Sequence, residues 1–373
     1  MTVLDDSLAE WPAVESLLPN DDRGLIIGNG ASIAIWSSFQ YASLLEMASD
    51  ASKPEHLALR ERKIFADMET SNFEAVLSAL IIAGRMWKHF EKPAKDVQDL
   101  RDAYSVVRKS LIRAVKEVHV PYDKVNDSLK QALRDHLRSY AYVYSTNYDL
   151  LLYWAMMTEP KQFKDFMWNR PLDKQGHPDN SRVLFDSTDT DLWQEREAPL
   201  TKVLFLHGGL HVYKGADGRT FKRVSASDEM NVGRDLLDDF DIRADAVPLF
   251  VSEGTSKEKL AAICRNDYLS FAYQRFAKHR GSLVVFGHSL TPEFDQHLIE
   301  AMVRWERYDQ RRKSFQSIPS KRVVALSVLP TMMSSDVISL KARMAKALPK
   351  YELKYFDATT HPLAKLKGAD TRE

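Results

Sequence analysis

The chain has 373 residues, 44% of them hydrophobic, and its 52 basic side chains balance its 52 acidic ones. This content suffices for a substantial core, and the zero formal charge argues against a dedicated nucleic-acid binder. No stretch reaches the roughly 20 apolar residues of a transmembrane helix, and residues 1–22 lack the apolar core of a signal peptide. One cysteine, Cys264, excludes an intrachain disulfide and a multi-cysteine zinc site. We therefore expect a cytoplasmic protein without a membrane partner.

The first predicted strand ends in a turn that contains two glycines. The apolar run 23–27 leads into Gly28-Asn29-Gly30-Ala31-Ser32, and a helix is predicted from Ile33 to about Ala48. Backbone amides at a turn that opens a helix can receive a phosphate. The competing interpretation is a tight turn that needs glycine for its backbone alone. Ile33 stands where the dehydrogenase fingerprint has its third glycine.

A block with only helical periodicity follows. Its predicted helices span 55–66, 73–90, 97–118 and 125–139. The block separates the first strand from the second. We therefore predict a helical insertion at 51–139 within one domain whose core comprises 23–50 and 140–373.

The second predicted strand, at 141–144, is followed by a polar run. The run is Ser145-Thr146-Asn147-Tyr148-Asp149, and a helix is predicted to follow from Leu150. Polar groups at the carboxyl end of a strand face the crevice where open α/β sheets bind ligands. The competing interpretation is a helix cap, in which these side chains only satisfy backbone amides.

The remaining predicted elements repeat this alternation of strand, turn and helix. Residues 159–200 are predicted to be irregular. The later predicted strands span 202–206, 211–213, 219–224, 247–251, 282–286, 322–327 and 351–356, and the later helices span 256–278, about 293 onward, and 334–347. The repeated alternation predicts a mostly parallel, doubly wound, Rossmann-like sheet. The turns at 28–32, 145–149, 207–209, 252–256 and 287–290 then share one edge and one pocket.

A histidine follows the third predicted strand. His207 precedes two glycines, and its pKa near neutrality suits a general base. A histidine packed at a strand end is the competing interpretation. His211 and His288 are less favoured candidates, because the first begins a hairpin strand and the second lies in another turn.

The order of these motifs resembles that of the sirtuin-like family, in its zinc-free bacterial NAD-consuming branch. The similar segments are Gly28-Asn29-Gly30-Ala31-Ser32, Thr146-Asn147-Tyr148-Asp149, Leu206-His207-Gly208, and 284–290 followed by Asp295. The resemblance spans roughly residues 23–330, with the block at 50–140 unmatched. It implies that Asn147 and His207 are catalytic. It also implies a set of NAD-binding residues, namely Gly28, Asn29, Gly30, Ser32, Thr146, Asp149, Gly287, Ser289 and Asp295.

The resemblance implies an NAD+ glycohydrolase that needs no metal and releases nicotinamide and ADP-ribose. Asn147 would hold the ribose or the attacking water, Asp149 would orient the loop or a hydroxyl, and His207 would take a proton. The resemblance also implies an antiphage effector that acts as a homo-oligomer or with a partner such as a hexameric ATPase. A single cysteine cannot form the four-cysteine zinc module of deacylating sirtuins. A non-catalytic NAD+ or ADP-ribose sensor and a zinc-independent deacylase remain alternatives.

Overall fold

The structure is a computed structural model, and it describes most of the chain. The described residues are 5–19, 22–36, 39, 44–71, 73–90, 93–170, 182–188, 200–215, 217–223, 246–251, 254–312 and 322–366. Parts of several predicted elements lie outside them: the middle of the 33–48 helix, most of the irregular 159–200 region, Val224, and the start of the 252–256 turn.

The described chain has a run of helices between β1 and β2, a run of strands from β3 to β9, and alternating strands and helices from β10 onward. The helices are α1 Trp11–Glu15, α2 Asn29–Ile35, α3 Leu44–Ala48, α4 Leu59–Asp67, α5 Phe73–His89, α6 Ala94–Val118, α7 Asp127–Leu137, α8 Leu151–Met157, α9 Ser256–Cys264, α10 Asp267–Ala277, α11 Pro292–Arg312, α12 Ser334–Ala347 and α13 Pro362–Lys365. The strands are β1 Gly24–Ile27, β2 Tyr142–Ser145, β3 Phe163–Lys164, β4 Met167–Asn169, β5 Arg182–Phe185, β6 Thr201–Phe205, β7 Gly208–Gly215, β8 Thr220–Arg223, β9 Ala246–Phe250, β10 Leu283–Phe286, β11 Val323–Val328 and β12 Glu352–Asp357.

Seven strands form an all-parallel sheet in the order β12-β11-β10-β1-β2-β6-β3. If the two-residue edge strand β3 is set aside, this is the 3-2-1-4-5-6 order of a Rossmann fold. Every residue of β1 and β10 is buried, because helices cover both faces of the sheet. On one face α7 packs against α8 and α2 against α13, and α9 and α10 pack against α11 in a second group. The predicted α/β fold, Rossmann-like and doubly wound, is confirmed.

A second, antiparallel sheet has the order β4-β5-β8-β7-β9. It corrects two predictions. Strand β9 was expected to extend the parallel sheet but pairs antiparallel with β7. The region 159–200, expected to be irregular, contributes β3, β4 and β5. These strands are two to four residues long, too short for a clear alternation of apolar and polar residues.

Local capping explains two further differences between prediction and structure. The helix predicted over 256–278 is two helices, because Asn266 accepts a hydrogen bond from the Leu269 amide and starts a new helix there. Helix α2 begins at Asn29, inside the predicted 28–32 turn, because Gly28 is already its N-cap, and it ends at Ile35, because Trp36 has extended backbone angles. Within the predicted insertion, α7 packs against α8, the helix that follows β2. No helix among the described residues is long and apolar enough to cross a membrane.

Candidate functional site

The predicted site residues follow one row of aligned strand ends. Ile27 of β1 is in register with Ser145 of β2 and with Phe286 of β10, and Ser145 is in register with Phe205 of β6. Strands β2 and β6 lie on one side of β1, whereas β10, β11 and β12 lie on the other. The strand order therefore reverses between β1 and β10, which makes this the topological switch point. In open α/β sheets, ligands bind at this switch point.

On one side of the site a buried hydrogen-bond chain joins three predicted residues. The Asn147 amide Nδ2 donates to the Ser32 Oγ at 2.8 Å, and the Ser32 hydroxyl donates to the Asp149 Oδ2 at 2.6 Å. Asn147 Nδ2 also donates to the Gly28 carbonyl at 3.1 Å. These hydrogen bonds therefore join the loop after β2 to Gly28 and to the first turn of α2.

Asp149 serves two structural purposes at once. Its Oδ1 accepts the Leu151 amide at 2.9 Å, which satisfies a free amide at the start of α8. Its Oδ2 accepts the Ser32 hydroxyl. Burial raises the pKa of the Asp149 carboxyl, and the two hydrogen bonds oppose that rise. Capping and the site thus share one carboxylate.

A small cavity lies beside this chain. Its volume is about 20 Å³, and its lining includes Ser32, Ser145, Asn147 and Asp149. This volume holds about one water molecule. The Asn147 Oδ1 is buried and has no hydrogen-bond partner among the described residues. The cavity is therefore a place where a small polar group could meet that oxygen.

Gly28 and the first residues of α2 pack against the turn after β10. The Gly30 amide donates to the Gly287 carbonyl at 2.8 Å. A Cβ at Gly28 would lie 2.5 Å from that same carbonyl oxygen, and one at Gly287, whose φ is +66°, would lie 2.4 Å from the Ala31 nitrogen. In this conformation the space freed by these glycines is filled by the facing backbone.

On the other side of the site two buried imidazoles meet. The His207 Nε2 and the His297 Nε2 are 3.0 Å apart, and the two rings lie nearly parallel. The Ser256 Oγ lies 3.0 Å from the His297 Nδ1 and accepts the His297 backbone amide at 2.8 Å. His207 thus belongs to a cluster that includes Ser256 of α9 and His297 of α11.

Burial keeps both imidazoles neutral. It lowers the pKa of His207 well below 6.5, and the neighbouring His297, Lys259 and His288 lower it further, whereas a hydrogen bond to the Thr146 backbone raises it. Burial also lowers the pKa of His297 to about 4. Neutral imidazoles can accept as well as donate a proton, as acid–base chemistry requires.

A buried ion pair stands next to the imidazoles. The Lys259 Nζ is 3.5 Å from the Asp295 Oδ1, and the His288 Nδ1 is 3.9 Å from the other oxygen of that carboxylate. The His288 Nδ1 also accepts the Leu290 amide at 3.0 Å. Asp295, which the resemblance implies to be an NAD-binding residue, is therefore paired with a lysine here.

Other predicted residues direct their side-chain hydrogen bonds to groups outside this cluster. Ser289 is exposed and its Oγ accepts the Thr291 hydroxyl. The Asn29 amide donates to the Phe39 carbonyl, and the Thr146 hydroxyl donates to the Ile27 carbonyl. His211 is a core residue that stacks on Tyr153.

Sequence reasoning missed three residues of the site: Ser256, Lys259 and His297. Ser256 lay in a turn that was predicted to reach the pocket. His297 stands two residues after Asp295, which was predicted, and Lys259 one turn after Ser256. No spacing rule connects these positions to His207, because they come from different elements. Only the packing of α9 and α11 against one another reveals them.

The fold and the site define a Rossmann-like α/β protein with a polar, histidine-containing cluster at its switch point. Among the described residues, no group of three or more histidine, cysteine or acidic side chains could hold a metal ion. The family described as "Domain of unknown function (DUF4917)" matches residues 25–311. The chain therefore belongs to that family. No curated protein matches the chain.

Proposed function

We propose that this protein is an NAD+ glycohydrolase that releases nicotinamide and ADP-ribose. One observation carries the proposal: the Rossmann strand order puts the 28–32 and 287–295 segments on the two sides of the switch point. Asn147 and His207 follow the next two strands on one side. A dinucleotide bound across the switch point would therefore reach both side chains.

The proposed reaction breaks the bond between nicotinamide and the ribose C1′. The bonding electrons leave with nicotinamide, a positive charge develops on the ribose, and water adds to C1′ and loses a proton. Asn147 would orient the ribose or the water through its amide. His207 would take the proton from a ribose hydroxyl or from water. This role needs a neutral imidazole, which the buried His207 supplies.

The proposal requires the site to open. A cavity of about 20 Å³ beside Asn147 is too small for a dinucleotide. The contact that closes the switch point is the hydrogen bond from the Gly30 amide to the Gly287 carbonyl. Separation of the start of α2 from the turn after β10 would free the Gly30 amide for a phosphate oxygen. The conformation described here is then the resting one.

The direct test incubates the purified chain with NAD+ and measures nicotinamide by chromatography. We expect turnover by the parent and a loss of at least about 100-fold in kcat for Asn147→Ala and for His207→Ala, the scale expected for a positioned acid–base group. His279→Gln is the matched control, since His279 is also buried but lies against Gly24, at the opposite end of β1. If both site variants consume NAD+ as fast as the parent, the proposed site is wrong.

A second candidate function is a sensor or scaffold that binds NAD+ or ADP-ribose without turnover. Its specific support is that the Asn147 amide and the His207 Nε2 are engaged by protein groups. Calorimetry that shows tight binding of NAD+, with no nicotinamide released, would favour it. A zinc-independent deacylase instead predicts that nicotinamide appears only when an acylated peptide is added.

The cellular role rests on the resemblance alone. We propose a bacterial antiphage effector that lowers cytoplasmic NAD+ once a homo-oligomer, or a partner such as a hexameric ATPase, opens the site. Native mass spectrometry of the chain, alone and with a candidate partner, tests the assembly. Turnover that is independent of assembly state would contradict this part of the proposal.

A further inference from the structure

The His207 and His297 rings face each other through their Nε2 atoms. Their Nε2 atoms are 3.0 Å apart, and both rings are buried. Two neutral imidazoles at this distance share one proton: one Nε2 carries it and the other accepts it. Which ring donates depends on what holds the other nitrogen of each ring.

The outer contacts favour one direction for this hydrogen bond. The Ser256 Oγ already accepts the His297 backbone amide, so its own hydroxyl proton is available for the His297 Nδ1 at 3.0 Å. His297 then carries its proton on Nε2. That proton points at the His207 Nε2, 3.0 Å away. The His207 Nε2 is then the acceptor.

A single polarity therefore runs from the Ser256 hydroxyl through His297 to the His207 Nε2. His297 accepts with its Nδ1 and donates with its Nε2, so both of its ring nitrogens are hydrogen-bonded. In this arrangement the lone pair of the His207 Nε2, which a general base needs, points at His297 and at nothing else among its described partners.

We propose that His297 is a second substrate-contacting imidazole, and that a ribose hydroxyl of the bound dinucleotide inserts between the two Nε2 atoms. The inference rests on the proposed function and deepens it. The hydroxyl oxygen accepts from the His297 Nε2–H and donates its own proton to the His207 Nε2. Two hydrogen bonds that meet at one oxygen separate the nitrogens by roughly 4.5 Å, so the pair opens from its resting 3.0 Å.

The proton balance of this step is simple. The hydroxyl O–H bond breaks, a new N–H bond forms on His207, and the negative charge that develops on oxygen is stabilised by the His297 N–H. His207 becomes an imidazolium. His297 keeps its own proton throughout, and Ser256 positions it through the hydrogen bond to Nδ1.

The apolar alternative explains the cluster less well. A histidine that only fills space would be expected to contact rings or aliphatic groups, as His211 does against Tyr153 and Phe205. Burial of two imidazoles and a hydroxyl costs free energy unless they are mutually hydrogen-bonded. The hydrogen bonds join Ser256 to His297 and His297 to His207, and His207 follows β6, two strands from β1.

The test compares His297→Gln and Ser256→Ala with the parent and with the His279→Gln control in NAD+ turnover. We expect kcat to fall about 100-fold for His297→Gln and about 10-fold for Ser256→Ala, with the control within about 2-fold of the parent. Because His297 lowers the pKa of His207, its removal should also shift the acid limb of the kcat profile to higher pH. The charged or titratable groups that still face the pair, Lys259, His288, Asp295 and Tyr273, are unchanged in all variants.

A readout on the parent protein guards against misfolding of the variants. Histidine imidazoles labelled with ¹⁵N are observed by NMR while ADP-ribose is added, and we expect the Nε2 signals of both His207 and His297 to move. A shift of the His207 signal alone, or a His297→Gln variant with parental kcat or with higher turnover, would overturn the inference. If the parent neither hydrolyses NAD+ nor responds to ADP-ribose, the proposed function falls as well; an active parent confines the failure to His297.

Discussion

Ser32 is the middle link of the chain from Asn147 to Asp149, so the substitution Ser32→Ala tests how that chain holds the site together. The change removes the hydroxyl that donates to the buried Asp149 carboxylate at 2.6 Å and accepts from the buried Asn147 amide at 2.8 Å. A hydrogen bond to a charged group contributes about 1.5–3 kcal/mol and a neutral one about 1 kcal/mol. We therefore expect Ser32→Ala to lower the free energy of unfolding by about 3 kcal/mol at neutral pH.

This cost should depend on pH, with a sign set by Asp149. Burial raises the folded-state pKa of its carboxyl above 3.8, and the Ser32 hydroxyl opposes the rise. Above the folded pKa the buried carboxylate is charged and loses most when Ser32 is removed. As the pH falls through the folded pKa the carboxyl becomes neutral, and the difference between variant and parent should shrink.

The assay is urea unfolding followed by tryptophan fluorescence at pH 7.5 and at pH 3.8, where a carboxyl whose pKa lies above 3.8 is mostly neutral. The matched control is Ser110→Ala, because the Ser110 hydroxyl is also buried but lies against two neutral carbonyls, those of Glu55 and Val106. We expect it to cost about 1 kcal/mol at both pH values. Equal losses for the two variants at both pH values would refute the reasoning, because the charge on Asp149 would then have no part in the cost.

Three further changes test other parts of the structure. Gly287→Ala should lower the free energy of unfolding by at least about 2 kcal/mol, since φ is +66° and a Cβ would meet backbone. Gly84→Ala should raise it by about 0.5–1 kcal/mol, because nothing lies within 4 Å of a Cβ there. Thermal or urea unfolding measures both, and the reverse order of stabilities would contradict the packing. Lys259→Met should cost about 3–5 kcal/mol by leaving the Asp295 carboxylate buried and unpaired, and the added change Asp295→Leu should recover part of that loss in the same assay. Burial holds the pKa of His119 at about 4 instead of 6.5, so the unfolded chain binds a proton at this histidine before the folded one does as the pH falls. Between those two pH values this group should lower the free energy of unfolding by about 1.4 kcal/mol per pH unit. The variant His119→Gln should show a correspondingly shallower fall, and an unchanged slope would show that His119 does not titrate there.

The α/β fold was predictable because its signals are local. Buried strands such as 283–286 are short apolar runs, and each is followed by a polar or glycine turn and a helical period. Helix α12 was predicted with its observed bounds. The boundaries that failed did so where a single capping residue, such as Asn266, outweighed a continuous helical pattern.

The second sheet could not be predicted in the same way. Strand β9 looks like any other buried strand, and nothing in its residues distinguishes an antiparallel partner from a parallel one. Its pairing is set by the long-range contact with β7, where the positive φ of Gly208 lets the chain approach β9 closely. Pairing partners far apart in sequence are chosen by tertiary packing.

The site divides along the same line. The sequence by itself determined which turns carry chemistry-bearing side chains, because a polar run such as 145–149 after a buried strand is a local pattern. It also placed Asn147 and His207 at strand ends, where the structure has them. Only the tertiary structure decided that Ser32 joins Asn147 to Asp149, and that His297 faces His207 across 90 residues of sequence. The physical reason is that hydrogen bonds between side chains act over about 3 Å, and the sheet order and helix packing that bring such atoms together are written across the whole chain.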